Sequence, residues 1–244
     1  MEPKASAYYT AGMKTIGLLG GMSWESTLLY YRTINEEIAR RLGGFHSARL
    51  VMVSVDFEEI EQYQRRGDWD AAGTALADDA HTLQAAGADL IVLCTNTMHK
   101  VSETIERAIA IPLLHIADAT ADAIQDRGMK RVGLLGTAFT MEEDFYRGRL
   151  QDRRDLDVIV PGEPDRAIVH RVIFEELVHG TIREESRSEF VRIAEALRAD
   201  GAEGVIEGCT EIGMLLDAGS TEVPLFDTTK IHATAAVELA LATS

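Results

Sequence analysis

The hydrophobic pattern of the chain consists of short apolar runs separated by amphipathic stretches. Four such runs occur in the first half, at residues 14–21, 50–55, 87–93 and 111–116. Apolar runs of this length are typical of parallel strands that are covered on both faces. Helical spacing is predicted between them, at residues 22–42, 57–66 (a short helix or an ordered loop), 69–86 and 97–109.

The second half of the chain repeats three of these blocks in the same order. The matched pairs are 14–21 with 130–137, 87–99 with 201–213, and 111–116 with 223–228, at offsets of 116, 114 and 112 residues. This period is too long for a solenoid repeat. We therefore predict an α/β protein with two similar domains, each a short parallel sheet flanked by helices. A pseudo-twofold axis would relate the domains, with the active site in the cleft between them.

The repeat also predicts domain boundaries. The first domain is expected to span residues 13–116 and the second residues 117–227, with a helix at the start of the second carrying the chain across. The sequence leaves open whether a C-terminal helix, at about residues 228–244, packs back on the first domain. Residues 1–12 have neither a helical nor a strand period and are interpreted as a flexible extension.

Composition excludes several classes of partner. Twenty-four basic and forty acidic residues give a formal charge of −16, which argues against nucleic acid and anionic membranes. No apolar run approaches the roughly 20 residues that a membrane span requires, so no membrane partner is expected. Two cysteines in 244 residues form no disulfide framework and no zinc pattern, and they favour a reducing, cytoplasmic location.

Small polar residues follow the apolar runs at 87–93 and 201–208, where open α/β sheets place their ligands. In the repeat register Thr95 is the positional twin of Cys209, since each lies seven residues after an alanine of a Gly-Ala pair. Neighbouring residues of a strand point to opposite faces, so Cys94 and Thr95 cannot both face the cleft. Cys94 is therefore predicted to be a buried core residue, and Cys209 a functional thiol.

An acidic chain that binds a small anion needs local positive potential. Helix N-termini are predicted after the ends of four strands, at Gly21, Thr95, Gly136 and Cys209, and their free N–H groups bind anions. The one after Cys209 is expected to lower the pKa of the thiol through the helix dipole. Thr97, Thr137 and Thr210 would add hydroxyl groups and Asn96 an amide.

Three blocks carry a resemblance to a known family. Residues 20–27 (GGMSWEST), 95–99 (TNTMH) and 208–212 (GCTEI) resemble the pyridoxal-phosphate-independent aspartate/glutamate racemases, and the similarity extends from residue 13 to the C-terminus. The resemblance implies two opposed acid/base groups that remove and return the α-proton of an amino acid. It also implies no cofactor, no metal and a homodimer. It is closest to the bacterial branch with a Thr/Cys catalytic pair.

The family pattern implies roles for individual residues. Most members have a cysteine where this chain has Thr95, so the resemblance implies an asymmetric catalytic pair in which Cys209 reacts with the L-enantiomer. L-aspartate and L-glutamate are the expected substrates. Racemisation of a broader range of amino acids is a close variant. His99 is expected to support or cap the strand end, and Trp24 to pack against the first helix or cover the pocket. Arg65 and Arg66 could add charge. The residues implied around the ligand are Met22, Gln64, Thr95, Asn96, Thr97, Thr137 and Thr210.

Two other functions remain open from the sequence. Decarboxylases of substituted malonates in the same superfamily need only the second-half cysteine, which protonates a planar carbanion, and a Thr/Cys chain would suit that chemistry. A catalytically weak protein that binds acidic amino acids in the same cleft is the second alternative. Release of carbon dioxide from an arylmalonate, or ligand binding without any reaction, would distinguish them from a racemase.

Overall fold

Eight parallel strands form two four-stranded sheets in the computed structural model, which describes residues 12–217 and 219–242. The strands are β1 (Ile16–Gly20), β2 (Leu50–Ser54), β3 (Leu90–Leu93), β4 (Leu113–Leu114), β5 (Arg131–Gly136), β6 (Asp157–Ile159), β7 (Gly204–Gly208) and β8 (Leu225–Asp227). Their order is β2-β1-β3-β4 in one sheet and β6-β5-β7-β8 in the other. The second order repeats the first, which confirms the predicted architecture of two similar α/β domains.

Eleven α-helices connect and cover the strands in the described part of the chain. They are α1 (Trp24–Leu42), α2 (Phe57–Arg66), α3 (Trp69–Ala85), α4 (Ser102–Ala108), α5 (Ile116–Asp126), α6 (Ala138–Glu142), α7 (Asp144–Arg154), α8 (Glu163–Glu175), α9 (Glu184–Ala199), α10 (Ile212–Leu215) and α11 (Thr228–Leu241). Each parallel crossover contains at least one of them, as parallel pairing requires. None of these helices is long and apolar enough to cross a membrane.

Two stretches differ from the sequence prediction. Residues 97–109 do not form one helix, because a 3₁₀ turn over Thr97–Val101 precedes α4. Thr97, Met98 and His99 are all buried and Lys100 is partly buried, so this turn lacks the one-sided pattern of a surface helix. The predicted extension at residues 1–12 lies, except for Gly12, outside the described residues.

The internal repeat extends to individual hydrogen bonds. Gly87 and Gly201 turn the chain into β3 and β7 with φ values of +94° and +95°, a region that favours glycine. Two residues later, Asp89 Oδ2 accepts a hydrogen bond from the backbone N–H of Thr15 at 2.6 Å. Glu203 Oε2 does the same for the N–H of Arg131 at 3.0 Å. The two halves therefore fix the register of their central strands by the same contacts.

Helix α11 belongs to the core of the first sheet although it comes last in the chain. Ala233 and Val237 of α11 are fully buried in one cluster with Ile16 of β1 and Tyr30 of α1. The chain therefore crosses between the two sheets twice, through α5 and through the connection from β8 to α11.

Candidate active site

A cavity lies between the two domains, at the carboxyl ends of the central strands. The cavity is narrow, with a volume of about 30 Å³. All eight residues for which the sequence predicted a catalytic or binding role line it, and they are Met22, Gln64, Thr95, Asn96, Thr97, Thr137, Cys209 and Thr210.

Cys209 is held by a carboxylate two residues further along the chain. Its Sγ–H donates to Oε2 of Glu211 at 2.9 Å, and the Thr210 hydroxyl donates to the same oxygen at 2.8 Å. Oε1 of Glu211 accepts from the Ser23 hydroxyl of the first domain at 2.7 Å. Glu211 therefore orients the thiol and also links the two domains across the cavity.

The expectation of a lowered pKa for the Cys209 thiol is wrong for this structure. Burial is the largest cause of a shift, and the negative charge of Glu211 is the next, and together they raise the pKa of Cys209 well above its ordinary value. The helix that was expected to act on the thiol, α10, begins only at Ile212 and has four residues. A helix of one turn has only a small dipole and does not offset these two effects. With its pKa raised, the thiol of Cys209 is protonated at neutral pH in this structure.

Thr95 is fixed by the histidine one turn further along the chain. Nδ1 of His99 lies 2.8 Å from the carbonyl oxygen of Thr95, and the backbone N–H of Ile116 donates to Nε2 at 3.2 Å. These partners require the proton on Nδ1. Burial, followed by the neighbouring His115 and His232, lowers the pKa of His99 well below its ordinary value. His99 is thus a neutral support for the end of β3, as the sequence suggested.

The remaining polar residues of the cavity contact one another across the domains. The hydroxyls of Thr97 and Thr137 lie 3.2 Å apart, one from each domain. Asn96 donates from Nδ2 to the Thr228 hydroxyl at 3.1 Å, while its buried Oδ1 has no partner among the described residues. A buried amide oxygen without a partner is unusual, and Asn96 is a residue that lines the cavity.

Other residues singled out from the sequence lie outside the cavity. Cys94 is fully buried in the core of the first domain, as predicted, and burial raises its pKa. Trp24 does not cover the pocket or pack inward: 64% of it is exposed, because it lies on the outer face of α1. Arg65 and Arg66 are in the last turn of α2, where they pair with Glu61 and Gln62 instead of facing the ligand.

The sequence analysis assigned no role to six residues of the cavity wall. Two of them, Gly208 and Glu211, belong to the 208–212 block, and the position of Glu211 next to the Cys-Thr pair is the available signal for it. Phe57, Ile173, Phe174 and Val178 complete the wall with apolar side chains. The last three come from α8 and the turn after it, where no repeat or motif distinguished them. In the described part of the chain, no group of His, Cys, Asp or Glu side chains could hold a metal ion.

The fold defines an α/β protein of two related domains, with a cavity between them that Cys209 and Thr95 both line. The family model for Asp/Glu/hydantoin racemases matches residues 19–236. The chain is 24% identical over 242 residues to the broad-specificity amino-acid racemase RacX of Bacillus subtilis (strain 168). The alignment covers 93% of this chain and 98% of that protein. The chain therefore belongs to the Asp/Glu/hydantoin racemase family, and it is an isomerase.

Two crystal structures support the same assignment. A Yersinia pestis protein assigned to the Asp/Glu racemases is 53% identical, with a TM-score of 0.89 over 94% of this chain and 100% of that one. PH1733 from Pyrococcus horikoshii OT3, an aspartate racemase homologue, is 37% identical, with a TM-score of 0.81 and the same coverage. Both similarities span the two domains and the cavity between them.

Proposed function

We propose that this chain racemises α-amino acids without a cofactor, with Cys209 and Thr95 acting on opposite faces of the α-carbon. The observation that carries the proposal is their placement: they are positional twins at the ends of β7 and β3, and both line one cavity. Only the α-carboxylate, α-ammonium and α-hydrogen take part in the reaction. The proposal therefore covers α-amino acids as a class. This class includes aspartate and glutamate, which the resemblance leads us to expect as substrates.

The first proton transfer would involve Glu211. A thiol cannot remove a proton until it has lost its own, and its hydrogen bond already points at Oε2 of Glu211. We propose that the carboxylate takes the thiol proton and that the thiolate then removes the α-hydrogen. The electron pair left on the α-carbon is delocalised into the substrate carboxylate. A positioned base of this kind contributes about 10²–10⁴ in rate.

The polar wall of the cavity can hold the head group of the substrate. Asn96 lines the cavity and its Oδ1 has no partner among the described residues, which supports a hydrogen bond from the α-ammonium to this oxygen. The hydroxyls of Thr97 and Thr137 are donors for the α-carboxylate. A substrate held by several groups presents its α-hydrogen to one face of the cavity, which is the orientation that proton transfer requires.

Thr95 makes the proposed reaction asymmetric. A hydroxyl is a far weaker acid than a thiol, so Thr95 is a poor base for the D-enantiomer and a slow donor to the carbanion. Cys209 would often return a proton to the face from which it took one. The L-enantiomer is therefore expected to exchange its α-hydrogen with solvent faster than it changes configuration.

Cys209→Ala, with Cys94→Ala as the matched control, tests the proposal. Each L-amino acid is incubated in deuterated water, and α-deuterium and configuration are followed by mass spectrometry and chiral chromatography. Loss of Cys209 should abolish exchange because the base is gone. Loss of Cys94 should leave it nearly unchanged, since that thiol lies outside the cavity. Full exchange by a folded Cys209→Ala variant contradicts the proposal.

The same assay separates the other functions. A malonate decarboxylase would release carbon dioxide from phenylmalonate and leave amino acids unlabelled. A binding protein would bind amino acids, by calorimetry, equally well with and without Cys209 and would label none of them. Either outcome contradicts a racemase.

A further inference from the structure

A pocket separate from the active-site cavity lies where β7, β8 and α11 meet. Its volume is about 240 Å³, below the roughly 300–1,000 Å³ of typical ligand pockets, so a ligand that fills it must be small. Glu207 of β7 lines this pocket and is not among the residues that line the cavity with Cys209. The pocket is therefore a second place at which the molecule could bind a small ligand.

Glu207 is a carboxyl at a position where the repeat has an apolar side chain. It lies five residues after the alanine of the second Gly-Ala pair, so its positional twin in the first half is Leu93, which is fully buried. The strand pairing agrees, because Leu93 lies beside Leu19 of β1 and Glu207 beside Leu135 of β5. The fold therefore does not require a carboxyl here, and one that is only 3% exposed needs another explanation.

The protein itself leaves the Glu207 carboxyl poorly paired. Its Oε1 is buried and has no hydrogen-bond partner among the described residues. Its cross-strand neighbour on β8 is Asp227, which has the same charge, and the ammonium of Lys230 pairs with Oδ2 of Asp227 at 2.9 Å. Burial and then the charge of Asp227 raise the pKa of Glu207 to about 8, although Lys230 opposes the shift. Buried carboxyls normally have a hydrogen-bonded partner, and a cationic N–H donor is the strongest one.

The rest of the wall combines charge with apolar surface. The charged side chains are Glu207, Asp217, Asp227, Arg127 and Lys230. Three of them are acidic and two basic, so with Glu207 ionised the wall carries one net negative charge, which a single monovalent cation balances. The apolar side chains are Leu216, which is buried, and Leu225 and Ile231, which are partly buried. Such side chains stabilise the methylene groups of a ligand by removing them from water.

We infer that this pocket binds a small primary alkylammonium ion, whose N–H groups pair with the Glu207 carboxylate and whose alkyl chain packs against the three apolar side chains. The ammonium ion replaces the proton that Glu207 carries at neutral pH, so the charge of the pocket stays the same on binding. The inference goes beyond the proposed racemase function and does not depend on it, because no residue of the active-site cavity takes part.

Proton release on binding tests this exchange. The charged groups that line the pocket with Glu207 are Asp227 of β8, Lys230 of α11, Arg127 at the end of α5 and Asp217 after α10. Below about pH 8 the Glu207 carboxyl is protonated, so an ammonium ion must displace its proton, whereas an alkylammonium stays charged up to a pKa of about 10. Calorimetric titration with n-butylamine, in two buffers of different ionisation enthalpy that are not primary amines, should show release of about one proton at pH 6.5, little release at pH 9, and tighter binding at pH 9.

Two variants of Glu207 and one control complete the test. Glu207→Leu installs the residue of the positional twin, and Glu207→Gln keeps the shape of the side chain. Each should weaken n-butylamine binding by about tenfold or more, because the carboxylate is gone. Asp200→Asn, which removes one negative charge at the exposed end of α9, should bind as the wild type does.

Two further ligands establish what the pocket recognises. n-Butanol has the same chain without the charge, and potassium chloride supplies a charge without the chain, so neither should bind comparably. Circular dichroism and the melting temperature establish that each variant is folded. The inference is wrong if the wild type does not bind n-butylamine at pH 9, if a folded Glu207→Leu or Glu207→Gln variant binds it equally well, or if n-butanol or potassium binds as tightly. None of these outcomes affects α-deuterium exchange, so the racemase proposal is judged separately.

Discussion

At the scale of single residues, the environment of Cys209 opposes the thiolate that the proposed reaction requires. Burial and the Glu211 carboxylate raise the pKa of the thiol, yet the same carboxylate is the group that can accept its proton. A substrate ammonium in the cavity would reduce the unfavourable charge and allow the transfer. The thiol is therefore expected to stay protonated until substrate is bound, which also limits oxidation.

Glu211→Gln separates the two effects of this carboxylate. Removing the negative charge should lower the pKa of Cys209, measured by thiolate absorbance against pH in a Cys94→Ala background. It should also slow α-deuterium exchange, by about 100-fold, because no carboxylate takes the thiol proton. A variant that exchanges as fast as its parent while its thiol pKa falls would show that Glu211 only opposes ionisation.

A second buried carboxyl, Glu207 of β7, makes stability depend on pH. Burial, followed by the charge of Asp227, raises its pKa from 4.5 to about 8, although Lys230 opposes the shift. The folded protein thus keeps a proton that the unfolded chain releases above pH 4.5. The free energy of unfolding should therefore fall as pH rises from about 4.5 to about 8.

Glu207→Gln should remove that dependence. Urea unfolding at pH 8.5 should show the variant to be more stable than the wild type, by up to the order of 4 kcal/mol, with little difference at pH 4.5. Glu203→Gln is the control, because the exposed Glu203 accepts hydrogen bonds from two backbone N–H groups and its loss should destabilise the protein. A Glu207→Gln variant that is less stable at pH 8.5 contradicts this account.

At the scale of elements, the turn from β1 to α1 carries Met22 and Ser23 into the site. Gly21 has a φ of +97°, and a Cβ there would lie 2.4 Å from the carbonyl oxygen of Val55. Both the backbone conformation and the contact require glycine. The two glycines at the end of β1, visible in the sequence, therefore reflect the packing of this turn against the end of β2.

Gly21→Ala should lower the free energy of unfolding by about 3 kcal/mol or more and reduce exchange, since Ser23 would move away from Glu211. Gly180→Ala is a matched control: its φ is +67°, but the space for a Cβ is open, so only the backbone cost of about 1–2 kcal/mol is expected. Denaturant unfolding of both variants gives the comparison. Equal losses would show that the contact with Val55 is unimportant.

The elements that the sequence predicted well are those with two buried faces. The apolar runs of β1, β3, β5 and β7 are covered on both sides, so their pattern was unambiguous, and the repeat identified the strand ends that meet at the cavity. The wall formed by α8 could not be predicted, because the position of a helix over a cavity depends on packing between helices. For the same reason, the role of Glu211 depends on a side-chain direction that no sequence pattern gives.

At the scale of the whole molecule, contacts across the cavity hold the two domains together. Ser23 donates to Glu211, Thr97 lies against Thr137, and the Trp69 ring packs edge-on against Phe139 at 5.4 Å. Buried contacts between domains exclude water, and the exclusion of water strengthens charge interactions in a site between them. Although the net charge of the chain is −16, Glu211 is the one charged side chain among the described residues that line the cavity.

The central claim, that Thr95 and Cys209 act from opposite faces of one carbon, is tested most directly by Thr95→Cys. We expect this variant to speed α-deuterium entry into the D-enantiomer by at least tenfold and to raise the rate of configuration change to match. Thr97→Cys, which adds a thiol to the same cavity but not at the twin position, should not do so. Unchanged D-enantiomer exchange in a folded Thr95→Cys variant, or an equal gain in Thr97→Cys, would contradict the account.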